Sequence, residues 1–248
     1  MKVRAFGLSD VGRCREKNQD YWLLDGAAGI YAVADGMGGH AAGEVASHLA
    51  IESLAESIAK SHADGQDGIE IERASVLLAD AFHAGNQKIC ESVLARGEWR
   101  GMGTTIVALL AVGDRVVIGH VGDSRAYLLR NGKLERLTSD HSWVNEQVKL
   151  GLLTDDEAHR HPMRNIVTRA LGNRADLEVD VSQREVEIGD TFLLCSDGLN
   201  SMLGDPVIQT TLGAHRDDPE AACHALVDQA NQEGGEDNIT VLIVRAGD

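Results

Sequence analysis

Positive charge is scarce in this chain: 23 Lys and Arg stand against 39 Asp and Glu, for a net charge of −16. A body so acidic repels nucleic acid and anionic membrane surfaces, so neither is an expected partner. Long apolar runs are also missing. No stretch approaches the ~18 residues that suggest a membrane span, and the opening MKVRAFGLSD has no signal-peptide apolar region. The expectation is a soluble, cytoplasmic protein. Four cysteines, Cys14, Cys90, Cys195 and Cys223, have no CxxC spacing, which argues for reduced thiols rather than a disulfide frame or a thiolate metal site. Nor is there a linker, repeat or low-complexity tract, and only three prolines occur. One domain over residues 1–248 is therefore expected.

What is present is ample core. In 248 residues, 43% are hydrophobic, enough to fold without a staple. Short strands are expected at 2–8, 19–25 and 29–34, the last two joined by the turn DGAAG. A helix follows from about Gly43 to Lys60, then a second carrying the stripe Ala74, Leu77, Leu78, Ala81, Phe82, Gly85, Ile89 and Val93. The middle of the chain reads as strands with short spacers, GTTIVALLAV, RVVIGHVGD, SRAYLLR and KLERL, hence antiparallel neighbours. After a mixed segment from His141 to Leu171, strands are expected at about 178–187 and 191–196, a helix at about 218–233 and a closing strand in NITVLIVRA.

The stretch IYAVADGMGGHAAGE, residues 30–44, ends an apolar strand in Asp35 and then in glycine. A plain turn would explain it, since Asp-Gly is a common turn pair. GMGGHA also fits the dinucleotide-binding GxGxxA, but that fingerprint needs a parallel strand after its helix, and here a second helix comes next. Recurrence elsewhere is more telling. VVIGHVGDSR brings a strand to Asp123, TFLLCSDGL brings one to Asp197, and EGGEDNITVLIV places Asp237 at a strand entry. Each alone is an ordinary turn or cap. Together they suggest strand ends converging on one carboxylate cluster, which needs protons or cations to exist at neutral pH. Oxygen ligands suit Mg²⁺ or Mn²⁺, whereas the sequence shows no His and Cys site of the kind zinc or iron would favour.

Eight segments carry a family resemblance: SDVGRCREKNQD (9–20), VADGMGGHAAGE (33–44), GMGTT (101–105), VGDSRAY (121–127), DHS (140–142), HPMRNIVTRALG (161–172), LLCSDGL (193–199) and GGEDNIT (234–240). In this order they resemble the metal-dependent protein phosphatases of the PPM group, the type 2C serine/threonine phosphatases, in their compact bacterial form. The resemblance implies an α+β fold, a four-layer α-β-β-α sandwich with two antiparallel sheets between helices. It implies two Mn²⁺ or Mg²⁺ ions, with Asp35 bridging them, the Gly36 carbonyl on one, and Asp197 and Asp237 on the other. Asp20 resembles the carboxylate that orients metal-activated water, and Asp123 with Asp197 matches a third, weaker ion site. Arg15 matches the phosphate-binding arginine, whose planar fork can hold phosphate oxygens, with neighbouring Arg13 read as a loop cation.

Departures from the pattern fall at two positions. Met37 stands where many eukaryotic members have a histidine, and His40 is the substitute general acid or simply a helix-start residue; the sequence leaves both open. Gln19 replaces a common glutamate, which removes one charge near the ions. The segment of about 141–171 resembles the family's flap beside the cleft, with His159 and His161 read as surface or structural residues. Arg125 and His120 are expected to order the strand end around Asp123, and Thr104 and Thr105 to support the site. The implied partners are phosphorylated proteins, with a cognate bacterial serine/threonine kinase and its substrates foremost.

Overall fold

Two antiparallel sheets organise the computed structural model, which describes residues 2–38, 42–63 and 69–247. One sheet runs in the order β1 (Lys2–Asp10), β11 (Ile239–Gly247), β10 (Thr191–Cys195), β7 (Arg125–Arg130) and β8 (Lys133–Arg136). The other runs β2 (Asp20–Asp25), β3 (Ile30–Met37), β5 (Ile106–Val112), β6 (Arg115–Val121) and β9 (Asp180–Glu185), with β4 (Gly103–Thr104) paired to the end of β3. The four layers expected from the sequence are thus in place.

The run IYAVA is apolar without alternation because both faces of β3 are buried. Tyr31 and Val33 point between the sheets, where they meet Leu128, Phe192, Leu194 and Leu242. Ile30, Ala32 and Ala34 point the other way, onto α1 (Ala42–Ala63) and α2 (Ile71–Ala95). The expected stripe on α2 is the packing face: Ala74, Leu78, Ala81, Phe82, Gly85 and Ile89 are buried, with Leu77 and Val93 at its margin. The first sheet is covered by α5 (Asp197–Asn200), α6 (Asp205–Ala214) and α7 (Pro219–Gln232), with Leu226, Leu212 and Ile208 against Leu193, Val241 and Ile243. Each large side chain buried in these layers contributes about 1.5–3 kcal/mol of hydrophobic stabilisation.

The structure departs from the sequence reading in several places. Helix α6 was not expected; Pro206 in its first turn and the buried Ile208, Thr211 and Leu212 at helical spacing are its sequence signals. Strand β9 is shorter than 178–187, and the GTTIVALLAV run breaks at Thr105, whose N–H donates to the Asp35 carbonyl at 2.9 Å. Strand β3 pairs antiparallel with β5, so no parallel βαβ unit follows the glycine loop and the dinucleotide alternative falls. Helices α3 (Trp143–Lys149) and α4 (Asp155–Arg160) fall within the segment of residues 141–171. Its base is closed by bridges between Ser142 and Val167 and between Thr104 and Leu171. Among the described residues, no helix is long and apolar enough to cross a membrane.

Candidate metal centre and phosphate site

Strand register puts two carboxylates side by side: Asp20 on β2 is the cross-strand partner of Asp35 on β3. Directly opposed like charges destabilise a sheet unless something neutralises them. Asp197 enters from the other sheet as the first residue of α5, just beyond β10, and Asp237 lies just before β11. Asp123 follows β6 and is buried. Asp35, Asp123, Asp197 and Asp237 line one cavity of about 290 Å³ together with Arg15 and Gly36. The four acid-tipped strand ends read from the sequence therefore do converge.

The backbone around Asp35 is fixed on all sides. Its N–H donates to Thr105 Oγ1 at 3.3 Å, and its carbonyl accepts from Thr104 Oγ1 at 2.8 Å. Thr105 Oγ1 in turn meets Ser124 Oγ at 2.6 Å, which ties Asp35 to the residue after Asp123. The next residue must be glycine for lack of space. A Cβ on Gly36 would lie 2.1 Å from the Gly43 carbonyl oxygen and 2.6 Å from that of Gln19. This is the physical answer to why the strand ends in glycine.

Electrostatically the cluster strains against itself. Burial first, then Asp20, Asp197, Asp123 and Asp237, pushes the Asp35 carboxyl well above the usual carboxylate range. Burial likewise raises Asp20 to about 7, although the hydroxyls of Thr240 and Ser196 donate to its Oδ2 at 2.6 and 2.7 Å. Asp197 rises to about 6 through burial and Asp237, and Asp123 rises well above its ordinary value through burial and Asp197. Asp20 Oδ1 and Asp197 Oδ1 are buried with no hydrogen-bond partner among the described residues. Such orphaned oxygens are costly, and an all-oxygen set of this charge is what a hard divalent cation requires. The residues fit Mg²⁺ or Mn²⁺.

Arg15 reaches the same cleft, its Nη2 donating to Asp237 Oδ2 at 2.6 Å. That hydrogen bond is the largest cause of its raised pKa, and Asp197 and Asp35 add to it. Arg13 is exposed, and its backbone N–H donates to the Gly235 carbonyl at 2.7 Å. Arg15 thus lines the cleft, and Arg13 does not.

The protein phosphatase 2C family profile matches residues 13–234. The chain belongs to that family. It is 42% identical over 246 residues to the serine/threonine protein phosphatase PstP of Mycobacterium tuberculosis H37Rv, covering 97% of this chain but 44% of that protein. The serine/threonine phosphatase Stp of Listeria monocytogenes EGD-e is 39% identical over 240 residues, covering 95% of this chain and 93% of Stp. Among solved structures, the catalytic domain of PstP in complex with two manganese ions superposes with a TM-score of 0.88 at 38% identity, covering 99% of each chain. The PPM resemblance and the two-sheet sandwich agree with these phosphatase 2C relatives.

Of the remaining expectations, His40 lies outside the described residues. From the flap, Asn165 and Val167 line the metal cleft, while His159 lines an adjoining groove of about 420 Å³. His161 packs its ring on Trp143 at 5.0 Å and accepts the Met163 N–H, a structural placement. Arg125 does order its strand end, forking onto Asp140 through Nε at 2.9 Å and Nη2 at 2.6 Å. Sequence reasoning missed Ser196, Thr240 and Asn238, ordinary polar residues whose importance lies in long-range partners.

One expectation needs correction. The sequence suggested no histidine-based cluster, yet His120, His141 and Asp180 bring ligand atoms within 4.8 Å of one another. The chemistry there does not favour a metal. His141 Nδ1 accepts the Gly122 N–H at 3.0 Å, which leaves the proton on Nε2 to be donated to Asp180 at 3.2 Å. Arg169 adds its own cation, with Nη1 donating to Asp180 at 2.8 Å and lying 3.0 Å from His141 Nε2. Asp180, Arg169 and His141 thus form a hydrogen-bonded brace, while His120 packs its ring on His141 at 4.5 Å and neither of its ring nitrogens has a hydrogen-bond partner among the described residues.

Proposed function

We propose that this chain is a metal-dependent protein serine/threonine phosphatase acting as one catalytic domain over residues 1–248. The observation that carries the reading is the crowding of Asp35, Asp123, Asp197 and Asp237 beside Arg15 in one cleft, with Asp20 opposite Asp35. Asp35, the Gly36 carbonyl, Asp197 and Asp237 would hold two Mn²⁺ or Mg²⁺ ions, and Asp123 with Asp197 would hold a third, weaker one. When bound, such ions lower the pKa of water to make a nucleophile and offset charge developing on the phosphoryl group.

The chain's own residues supply the rest. Arg15 presents a planar fork that clamps two phosphate oxygens and orients phosphorus in the cleft. Asp20 is held by Ser196 and Thr240 through Oδ2, which leaves Oδ1 without a partner among the described residues and able to accept a proton or a hydrogen bond. His40 is assigned the transfer of a proton to the leaving serine or threonine oxygen. The substrate class follows from relatives that are serine/threonine phosphatases, and the substrates in mind are products of a cognate serine/threonine kinase in the cytoplasm, the kinase included.

The test is hydrolysis of phosphoserine and phosphothreonine peptides with Mn²⁺, with and without chelator. Asp35→Asn and Asp237→Asn should each lose turnover by orders of magnitude with the fold intact. Wild-type rates in both variants would mean the site is misplaced. Release of phosphate from an autophosphorylated kinase domain tests the partner separately.

A further inference from the structure

The loop that carries Arg15, residues 11–19, lacks regular secondary structure. A loop without a ladder needs other anchors to hold a guanidinium in one place. One side chain supplies three of them. Asn238 Nδ2 donates to the Val11 carbonyl at 2.9 Å and to the Lys17 carbonyl at 2.9 Å, while its Oδ1 accepts the Gln19 N–H at 2.8 Å. Val11 and Lys17 bracket Arg15 on either side, so the amide pins both ends of the arch from which the arginine projects.

Chemistry explains why an amide stands there. The position requires two N–H donors and one acceptor on a short stem, a set that only asparagine provides; aspartate cannot donate and serine has one hydrogen to give. Asn238 is itself immobile, only 5% exposed, and its backbone N–H donates to Asp237 Oδ1 at 2.9 Å. The Asn238 carbonyl sits where Gly198 would carry a Cβ, at 2.1 Å. Its backbone thus belongs to the metal-side loop and its side chain to the phosphate-side loop.

We propose that Asn238 is a positioning residue for phosphate binding, acting through the Arg15 loop. The proposal rests on the reading of Arg15 as the phosphate-binding residue. It predicts a division of labour: the side chain governs phosphate affinity, whereas the contact with Asp237 is made by the backbone and survives truncation.

A double-mutant cycle tests this. Asn238→Ala, Arg15→Ala and the double variant are compared for KM with a phosphopeptide, inhibition by inorganic phosphate, kcat, and Mn²⁺ affinity by calorimetry, with circular dichroism as the folding control. Loss of these hydrogen bonds should raise KM and the phosphate inhibition constant about tenfold when Arg15 is present. The same change should cost less than about twofold in the Arg15→Ala background, because residues acting through one another are not additive. Mn²⁺ affinity should stay within roughly the error of such a cycle, about twofold. Equal losses in both backgrounds, or a loss confined to Mn²⁺ affinity, would overturn the proposal. Should Asn238→Ala not fold, Asn238→Ser goes through the same cycle, and failure of both to fold would make Asn238 a structural clamp and also overturn it. An active wild type with an additive cycle removes only this inference; an inactive wild type removes the phosphatase reading with it.

Discussion

Raising the pH of the chelated protein should lower its stability, and bound cations should abolish that loss. Asp20, Asp35, Asp123 and Asp197 all have folded-state pKa values above their ordinary ones. Above pH 4 the folded protein therefore binds protons that the unfolded chain has released. Stability contributed in this way is complete at low pH and is lost as the pH rises through the folded values. Each retained proton costs about 1.4 kcal/mol per pH unit. One carboxyl still protonated from pH 6.5 to 8 thus costs about 2 kcal/mol, or roughly 4–8 °C in Tm for a chain of this size.

That window is chosen because a histidine opposes the effect lower down. His120 is held to about 4 by burial and by His141, so the unfolded chain protonates it first, and stability from this source rises with pH up to about 6.5. At pH 6.5 the unfolded imidazole has lost half its proton, so from there upward His120, and His141 whose pKa burial also lowers, each add no more than about 0.4 kcal/mol, less than the carboxyl loss. Asp197, at about 6, has mostly released its proton there, whereas Asp20, at about 7, releases its own within the window, and burial and neighbouring carboxylates hold Asp35 and Asp123 well above the usual carboxylate range. Thermal melts at pH 6.5, 7, 7.5 and 8 in chelator should show Tm falling by several degrees. Melts in Mn²⁺ should be flat, and Asp35→Asn should flatten the chelated series in part. A chelated Tm that holds or climbs across this window would refute the electrostatic account of the cluster.

Further outcomes follow from the same geometry. Arg15→Lys keeps the charge but not the fork, so KM for phosphopeptides should rise about tenfold, whereas Arg13→Lys should change it little; the reverse ranking would mean the wrong arginine has been assigned. Asp123→Ala should leave two Mn²⁺ bound by calorimetric count while lowering turnover, and loss of all bound metal would instead place Asp123 in the primary pair. With a net charge of −16, phosphopeptides flanked by Lys or Arg should show higher kcat/KM than acidic ones at about 0.02 M salt. The ratio should shrink at about 0.5 M, where screening acts within a few ångströms; equal rates at low salt would remove steering from the account.

The four-layer order and the acidic strand ends could be read from the sequence because their signals are local. An apolar run ending in Asp is visible in ten residues, as with Asp35, Asp123 and Asp197. What stayed hidden depends on register and docking. That Asp20 stands opposite Asp35 follows from the pairing of β2 with β3. That Ser196 and Thr240 reach Asp20 requires the two sheets to meet. Asn238 reads as one polar residue before a strand, and nothing near it in sequence says that it holds Val11 and Lys17. His120, His141 and Asp180 come from three separate elements, so no spacing could announce them. Helix α6 is different, since its proline and its buried spacing were in view; its signal was short and was outweighed by the loop-like residues around it.

Docking of the sheets also explains how so unfavourable a cluster is tolerated. Asp20 and Asp35 belong to one sheet, and Asp197 and Asp237 flank strands β10 and β11 of the other, so the carboxyls approach only when Tyr31, Val33, Val107 and Leu109 pack on Phe192, Leu194 and Leu242. Several large side chains at about 1.5–3 kcal/mol each outweigh a few kcal/mol of repulsion. A cation at one hundred times its dissociation constant adds about 2.7 kcal/mol to the folded state. That is close to the roughly 2 kcal/mol lost per retained proton between pH 6.5 and 8. Cations and protons therefore compete for the same stabilising role at the strand ends, and weakening the inter-sheet core should make the fold more dependent on whichever is present. Phe192→Ala, a change away from the cleft that removes about 3–5 kcal/mol of packing, should widen the gap in Tm between chelated and Mn²⁺-loaded protein if it opens the sheets at the cleft. An unchanged gap, with both Tm values lowered equally, would show instead that the carboxyl cluster is held by its local hydroxyl and backbone contacts and is independent of the packing between the sheets.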